Sequence, residues 1–345
     1  MATLATACLP VRADDAKPVR IGILGMDNYQ AVEYVQFYNS PQAAGDLAGL
    51  RVTAVYPVTS ADYPGSAAFT ERWKQQMVAS HQNSKDPQPP AEFVDSIDEL
   101  LERCDAVMIW SLDGRQHLAQ ATPVLSAGKP LFIGRPLASS PEDAAAIMKL
   151  AAETKTPCWS CSQHRFSPGF SGMRDHPEVG RVLGCDVYGG YDVKATAADA
   201  FTRSLHSIET LYTIMGPGCV KVACTSTPTA ESITAVWSDG RVGTYRGVKE
   251  GAVKYSATVF GDKGVSTAGI YGHGVPMQGI VPTNDTYMGY RGLAIEMARF
   301  FKGAPAPVGP AEMLEIFALL QAAETSRAQN GSVVELLKLS ATAMN

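Results

Sequence analysis

Residues 18–39 read PVRIGILGMDNYQAVEYVQFYN. Val19–Leu24 is short, apolar and rich in β-branched residues, the pattern of a strand buried on both faces. Gly25 breaks it. Beyond the turn, Ala31, Tyr34, Val35 and Tyr38 recur at i, i+3, i+4 and i+7, one apolar stripe on a helix. A strand entering a helix through a glycine turn opens a dinucleotide-binding unit, because the N–H groups at the helix start attract a pyrophosphate. The full fingerprint has three glycines. At its spacing this chain carries Gly25, Asp27 and Gln30, so the architecture is written and most of the phosphate cradle is not.

Outward from this stretch, strands and helices alternate. Arg51–Tyr56 reads as a second strand, ended by Pro57; the Asp or Glu that usually follows it to bind ribose hydroxyls is missing. Phe69, Trp73 and Met77, four residues apart, predict a helix with a core-facing stripe. A Pro-rich polar loop spans Asn83–Ala91. Ser96 and Glu99 form a capping box for a helix over Ile97–Arg103. The strand Ala106–Trp110, a helix Gln116–Ser126 stopped at Gly128, and the strand Pro130–Ile133 follow. Ser140 and Pro141 then start a helix at the N-cap and N1 positions, and Pro157–Ser162 is the last strand of this half. Such alternation predicts a parallel sheet with crossovers over residues 18–165.

The rhythm then changes. Arg181–Val193, Glu231–Gly247 (with a turn at Ser238–Arg241) and Val253–Phe260 read as strands. A helix over Phe201–Met215 interrupts them. Residues 166–345 are therefore expected to form an α+β domain with a mostly antiparallel sheet. Two C-terminal helices, lined by Leu293, Met297, Phe300 and Phe301 and by Met313, Ile316, Phe317 and Leu320, can fold back onto the first domain. The expected fold is α/β, a Rossmann-type doubly wound parallel sheet followed by the α+β domain.

The chain has 345 residues, 46% hydrophobic, with a net charge of -5 and no long basic run. That length suits two cored domains, and the charge argues against nucleic acid or an anionic membrane as main partner. No apolar run reaches the roughly 18 residues of a membrane span. Residues 1–17 form a tail. Val11 and Ala13 suit the -3 and -1 positions of a signal cleavage before Asp14, but no basic segment precedes them. Export and a cytoplasmic location both stay open. Seven scattered cysteines argue for reduced, buried thiols. Cys158 and Cys161, with His164 beyond, have metal-like spacing, but a strand turns the two thiols to opposite faces, and no metal is expected.

Several stretches together resemble the glucose–fructose oxidoreductase/inositol dehydrogenase (Gfo/Idh/MocA) family over nearly the whole chain: VRIGILG, DSIDELLERCDAVMIW, AGKPLFIGRPLASSPEDAAAIMKLAAE, CSQHRFSP and LHSIETLYTIMG. The resemblance implies NAD or NADP as cofactor and a sugar, polyol or related small molecule as substrate. It also implies that Gly25, Asp27, Asn28 and Pro136 line the cofactor. The family's Glu-Lys-Pro triplet is Gly134-Arg135-Pro136 here. Its substrate-domain histidine is retained as His206, and its common histidine after the third strand as His117. The Asp that often stands four residues before the former is Thr202.

Oxidising a carbinol needs a base for the hydroxyl proton. Arg135 stays charged and cannot be that base, although it can hold a carboxylate or phosphate bidentately. Proton transfer therefore falls to His206, whose ordinary pKa of about 6.5 suits it. Thr202, one helical turn earlier, can hydrogen-bond a substrate, and Glu209 can orient the imidazole. Arg165 either contacts substrate or pins the two domains. Three readings follow. One is an NAD(P)-dependent oxidoreductase of a sugar, polyol or sugar acid. A second is an oxidoreductase fold whose site has decayed to binding or assembly, and a third is a redox-neutral enzyme holding NAD tightly. An exposed sheet face in the second domain makes a homo-oligomer the expected state.

Overall fold

The structure is a computed structural model. It describes residues 17–82, 89–192, 201–270, 272–275, 279–282 and 288–339. The leader-like segment and most of the Pro-rich loop lie outside the described residues. The first domain alternates β1 (Val19–Leu24), α1 (Gln30–Tyr38), β2 (Leu50–Tyr56), α2 (Ser66–Gln82), β3 (Glu92–Phe93), α3 (Ile97–Glu102), β4 (Ala106–Ile109), α4 (His117–Ser126), β5 (Leu131–Gly134), α5 (Pro141–Glu153) and β6 (Cys158–Cys161). All six strands are parallel, in the order β3-β2-β1-β4-β5-β6. The order reverses between β1 and β4, and the crevice beyond their carboxyl ends is where such sheets bind ligands.

Local chemistry sets the element ends. Ser96 Oγ accepts from Glu99 N–H at 3.2 Å, and the Glu99 carboxylate reaches back to Asp95 N–H at 3.1 Å. Ser140 Oγ caps α5 by accepting from Asp143 N–H at 3.0 Å. Gly128 ends α4 with φ of 67°, where a side chain would be strained. The stripe on α2 is less buried than its spacing predicts. Met77 enters the core, Trp73 is half-buried against Tyr29, and Phe69 is exposed.

The second domain contains β7 (Val182–Gly190), α6 (Leu205–Met215), β8 (Cys219–Ser226), β9 (Ala230–Trp237), β10 (Val242–Val248), β11 (Ser256–Gly261), β12 (Val265–Gly269), β13 (Gly272–Val275) and β14 (Gly279–Pro282). After these come α7 (Gly289–Phe301), α8 (Pro310–Ala328) and the short β15 (Val334–Glu335). The nine strands run β14-β13-β12-β11-β7-β10-β9-β8-β15 and are antiparallel except for β7 with β10. The α+β expectation holds. The alternation puts Val187, Ile233, Trp237, Tyr245 and Val259 on the face under α6 and α8. Leu183, Val242 and Val265 stand exposed on the same sheet.

α7 returns to the first domain. Tyr38 Oη on α1 donates to Ala294 O at 2.8 Å, and Arg299 pairs with Asp46 at 2.7 Å. Gly292 lies so close to Phe166 that a Cβ there would come within 3.0 Å of its carbonyl. Helix and interdomain turn are thus fixed against each other, which sets the cleft between the domains.

Candidate functional site

The cleft is built from the ends of four elements. Arg135 leaves β5 half-buried, and its peptide bond to Pro136 is cis. Ser162 and His164 follow β6, and both are buried. His206 lies in the first turn of α6, and Tyr255 precedes β11. The imidazoles of His164 and His206 stack with centroids 4.3 Å apart and planes 20° apart. Tyr255 meets the His164 ring edge-on at 4.5 Å. Ser162 Oγ lies 2.6 Å from His206 Nδ1 and accepts from His164 N–H at 3.2 Å. This contact fixes the ring plane of His206. Nε2 makes no hydrogen bond to the described residues, so it is the nitrogen left to a ligand.

The electrostatics are those of a cation facing neutral rings. Burial, then the Arg135 charge, pushes His164 down to about 3. Burial, then Arg135, then His164, pushes His206 well below 6.5. Burial raises the hydroxyls of Tyr29 and Tyr255, and the Arg135 charge pulls against it in both. One guanidinium therefore stands within electrostatic range of all four rings.

Other candidates fall elsewhere. Arg165 pins rather than binds. Its guanidinium is ion-paired to Glu209 on α6 and, at 2.7 Å, to Glu312 on α8, with side chains only 7%, 6% and 15% exposed. The orienting role expected of Glu209 is thus taken by Ser162, because Glu209 is committed to Arg165. Thr202 is not on a helical face shared with His206, since α6 begins only at Leu205. Cys158 and Cys161 are both buried, and burial raises both thiols above their ordinary value.

His117 is structural. Its ring is fully buried, with Nδ1 2.8 Å from Pro136 O and Nε2 2.9 Å from Ser111 O. It ties the end of β4 to the Arg135 loop. Pro136 is thus held from below, next to Gly114, whose Cβ would come within 2.9 Å of the proline ring. The glycine at the first position of the triplet also has a local cause. A Cβ on Gly134 would lie 2.5 Å from Trp110 Cε3, and Trp110 is stacked on Tyr34 at 4.8 Å and 10°. The large indole at the end of β4 leaves no room for a side chain at position 134.

The cofactor seat is a different matter. Gly25 keeps the tight turn: its φ is 79°, and a Cβ would come within 2.6 Å of Ser111 N. Asp27, only 2% exposed, points into the protein. Its carboxylate accepts from Leu112 N–H at 2.8 Å and from Ser66 Oγ at 2.7 Å. Asn28 Oδ1 accepts from Gln30 N–H at 3.1 Å, and Asn28 O accepts from Ala31 N–H at 3.1 Å. The donors at the start of α1 are therefore engaged within the chain. These residues do not fit a pyrophosphate in the usual seat.

His164, Ser162 and Tyr255 were not singled out from sequence as site residues. His164 lies two residues beyond the β6 strand predicted to end at Ser162, and that position at a strand's carboxyl end was the available signal. Tyr255 offered none, because it reaches the cleft by long-range pairing of β11.

Comparison with known proteins agrees with the fold. Residues 19–161 match the family described as an oxidoreductase family with an NAD-binding Rossmann fold. YceM of Salmonella typhimurium, provisionally described as an oxidoreductase, is 28% identical over 145 residues. That match covers 41% of this chain and 46% of YceM, just under half of that relative's length. Levoglucosan dehydrogenase, solved with NADH and levoglucosan, superposes with a TM-score of 0.70 at 14% identity, over 93% of this chain and 100% of that one. The scyllo-inositol dehydrogenase of Lactobacillus casei, solved with NAD(H) and scyllo-inositol, gives 0.67 at 15%, over 92% and 99%. At these identities the superpositions establish the fold alone. Residues 19–161 thus match the Gfo/Idh/MocA oxidoreductase family, and the whole chain shares the two-domain fold of these enzymes.

Proposed function

We propose that this chain recognises a small hydroxylated molecule carrying an acidic group, of the sugar-acid or polyol-acid class, in the cleft of Arg135 and His206. The observation that carries the reading is the convergence of one guanidinium on two stacked, neutral imidazoles. Arg135 supplies the anion contact, in the fork geometry that suits a carboxylate. His206 Nε2 faces the ligand hydroxyl and exchanges its proton, with Ser162 holding the ring. An anion on Arg135 offsets the positive charge that depresses both imidazoles, so ligand binding brings His206 closer to a working pKa.

The family match over residues 19–161 supports an NAD(P)-dependent oxidoreductase. The placement of Asp27 favours the second reading, a binding protein whose hydride chemistry has decayed. Calorimetric titration with glucuronate and glucose tests the ligand class. The acid is expected to bind and the neutral sugar is not. Arg135→Gln is expected to weaken the acid by about tenfold or more, the value of a charged hydrogen bond. Failure of a panel of sugar acids to bind, or no effect of Arg135→Gln, refutes the reading. Native mass spectrometry then separates the two versions, because a nicotinamide carried through purification is incompatible with a binding protein that has lost its cofactor.

A further inference from the structure

Three loops leave the carboxyl ends of β1, β2 and β4, and a dinucleotide in a Rossmann domain lies across that rim. Here the loops are sewn to each other. Asp27, from the β1 loop, takes the Leu112 N–H of the β4 loop and the hydroxyl of Ser66 at the start of α2. Ser66 Oγ in turn accepts from Ser60 N–H at 3.0 Å, in the β2 loop. Ser60 Oγ donates to Asp113 Oδ2 at 2.5 Å, back in the β4 loop. Arg115 holds Asp113 in a fork, with Nε to Oδ1 at 2.7 Å and Nη2 to Oδ2 at 2.8 Å. Asp27, Ser60, Ser66 and Asp113 are each at most 6% exposed.

We propose that Asp27 is a built-in replacement for the cofactor's anion, and that the adenosine and pyrophosphate half of this crevice is closed by the chain itself. Three independent observations converge on it. The Gln30 N–H and Ala31 N–H at the start of α1 are already bonded to Asn28. The carboxylate of Asp27 occupies the rim with its own negative charge, and a second anion beside it is repelled. The β2 end reads Tyr56, Pro57 and Val58, with no acid to bind a ribose. A dinucleotide cannot enter this seat without breaking the Asp27–Leu112 and Asp27–Ser66 bonds and leaving a buried carboxylate without partners. Arg135, His164 and His206 lie after β5, after β6 and at the start of α6, and none of them is a partner in this network. This inference rests on the crevice alone and is independent of the ligand reading of that cleft.

The test is titration of the full chain with NADH and with NADPH, followed by nicotinamide fluorescence, to about 1 mM, where binding free energy is only about 4 kcal/mol. No saturation is expected. In hydrogen exchange, the Leu112 amide is expected to be protected and to stay equally protected with NADH present. Asp27→Gly removes the bridging carboxylate and is expected to gain at least about tenfold in NADH affinity, about 1.4 kcal/mol. Asp27→Asn, which keeps the size and the acceptor for Leu112 but removes the charge, is expected to gain less NADH affinity than Asp27→Gly. Saturable binding by the unaltered chain, or a Leu112 amide that exchanges freely, overturns the proposal. If folded Asp27→Gly binds no better than the parent, Asp27 is not what closes the seat.

Discussion

Replacing Gly134 with alanine adds one methyl group where the structure has no space for it. The Cβ would lie 2.5 Å from Trp110 Cε3, 2.8 Å from Cζ3 and 3.0 Å from Ile109 O, against an optimal carbon separation of about 3.5–4.0 Å. Gly134 lies in β5 without a positive φ, so backbone strain does not enter, and the cost is steric. The indole cannot swing away. It is 1% exposed, stacked on Tyr34, and packed against Phe132 with centroids 5.4 Å apart. Overpacking of this kind costs about 1–3 kcal/mol. In a Trp110→Ala background the same methyl enters a cavity, and its cost is expected to vanish or to become a gain of about 0.8 kcal/mol. Urea denaturation of the two single variants and the double variant gives the coupling, expected at about 1–3 kcal/mol. A Gly134→Ala chain within about 0.5 kcal/mol of the parent, or an equal cost in both backgrounds, would refute the steric account of this position.

Arg165→Met leaves Glu209 and Glu312 buried without their cation and is expected to cost about 3–5 kcal/mol in urea denaturation, while folded protein keeps its affinity for the acid held by Arg135. Loss of affinity without loss of stability would return Arg165 to the ligand site. Arg135→Gln removes a charge that depresses both cleft imidazoles, so the ring titrations of His164 and His206 are expected to move upward in proton NMR. Unmoved titrations would mean that burial alone sets them. The same depression makes stability pH-dependent. Unfolded rings take up protons below about 6.5, whereas the folded His164 does so only at about 3. Stability from this ring is intact above about pH 6.5 and falls as the pH drops from there, by up to about 1.4 kcal/mol per unit. The loss between pH 7 and 5 is expected to be smaller in His164→Gln, and equal losses would count against the assignment.

The parts of the fold carried by neighbours in sequence could be read from it. The β1–α1 stretch, the Ser96 capping box, the Ser140–Pro141 helix start and the Gly128 stop depend on residues a few positions apart. β8 went unread because its inward Val222 and Cys224 alternate with lysine and threonine in a pattern too weak to separate from a loop. α6 starts later than its apolar spacing suggests, because residues 201–204 form turns before it. Arg135 and His206 were identified as site candidates through the family resemblance, and in the structure the Arg135 charge acts on the His206 ring. The role of Asp27 could not be read locally, since its partner Leu112 is 85 residues away. What the sequence did carry was the mismatch itself: a carboxylate where a glycine belongs needs partners somewhere.

The aromatic residues have a consequence for observation. The chain has four tryptophans. Trp110, Trp159 and Trp237 are sealed in the interior, at most 2% exposed. Trp73 alone is half-buried, with Arg72 above its ring at 4.6 Å and Tyr29 beside it at 6.1 Å. Tyr29 opens α1 and feels the charge of Arg135. Trp73 is thus the indole of the four that solvent reaches, and its emission reports on the Tyr29 end of α1.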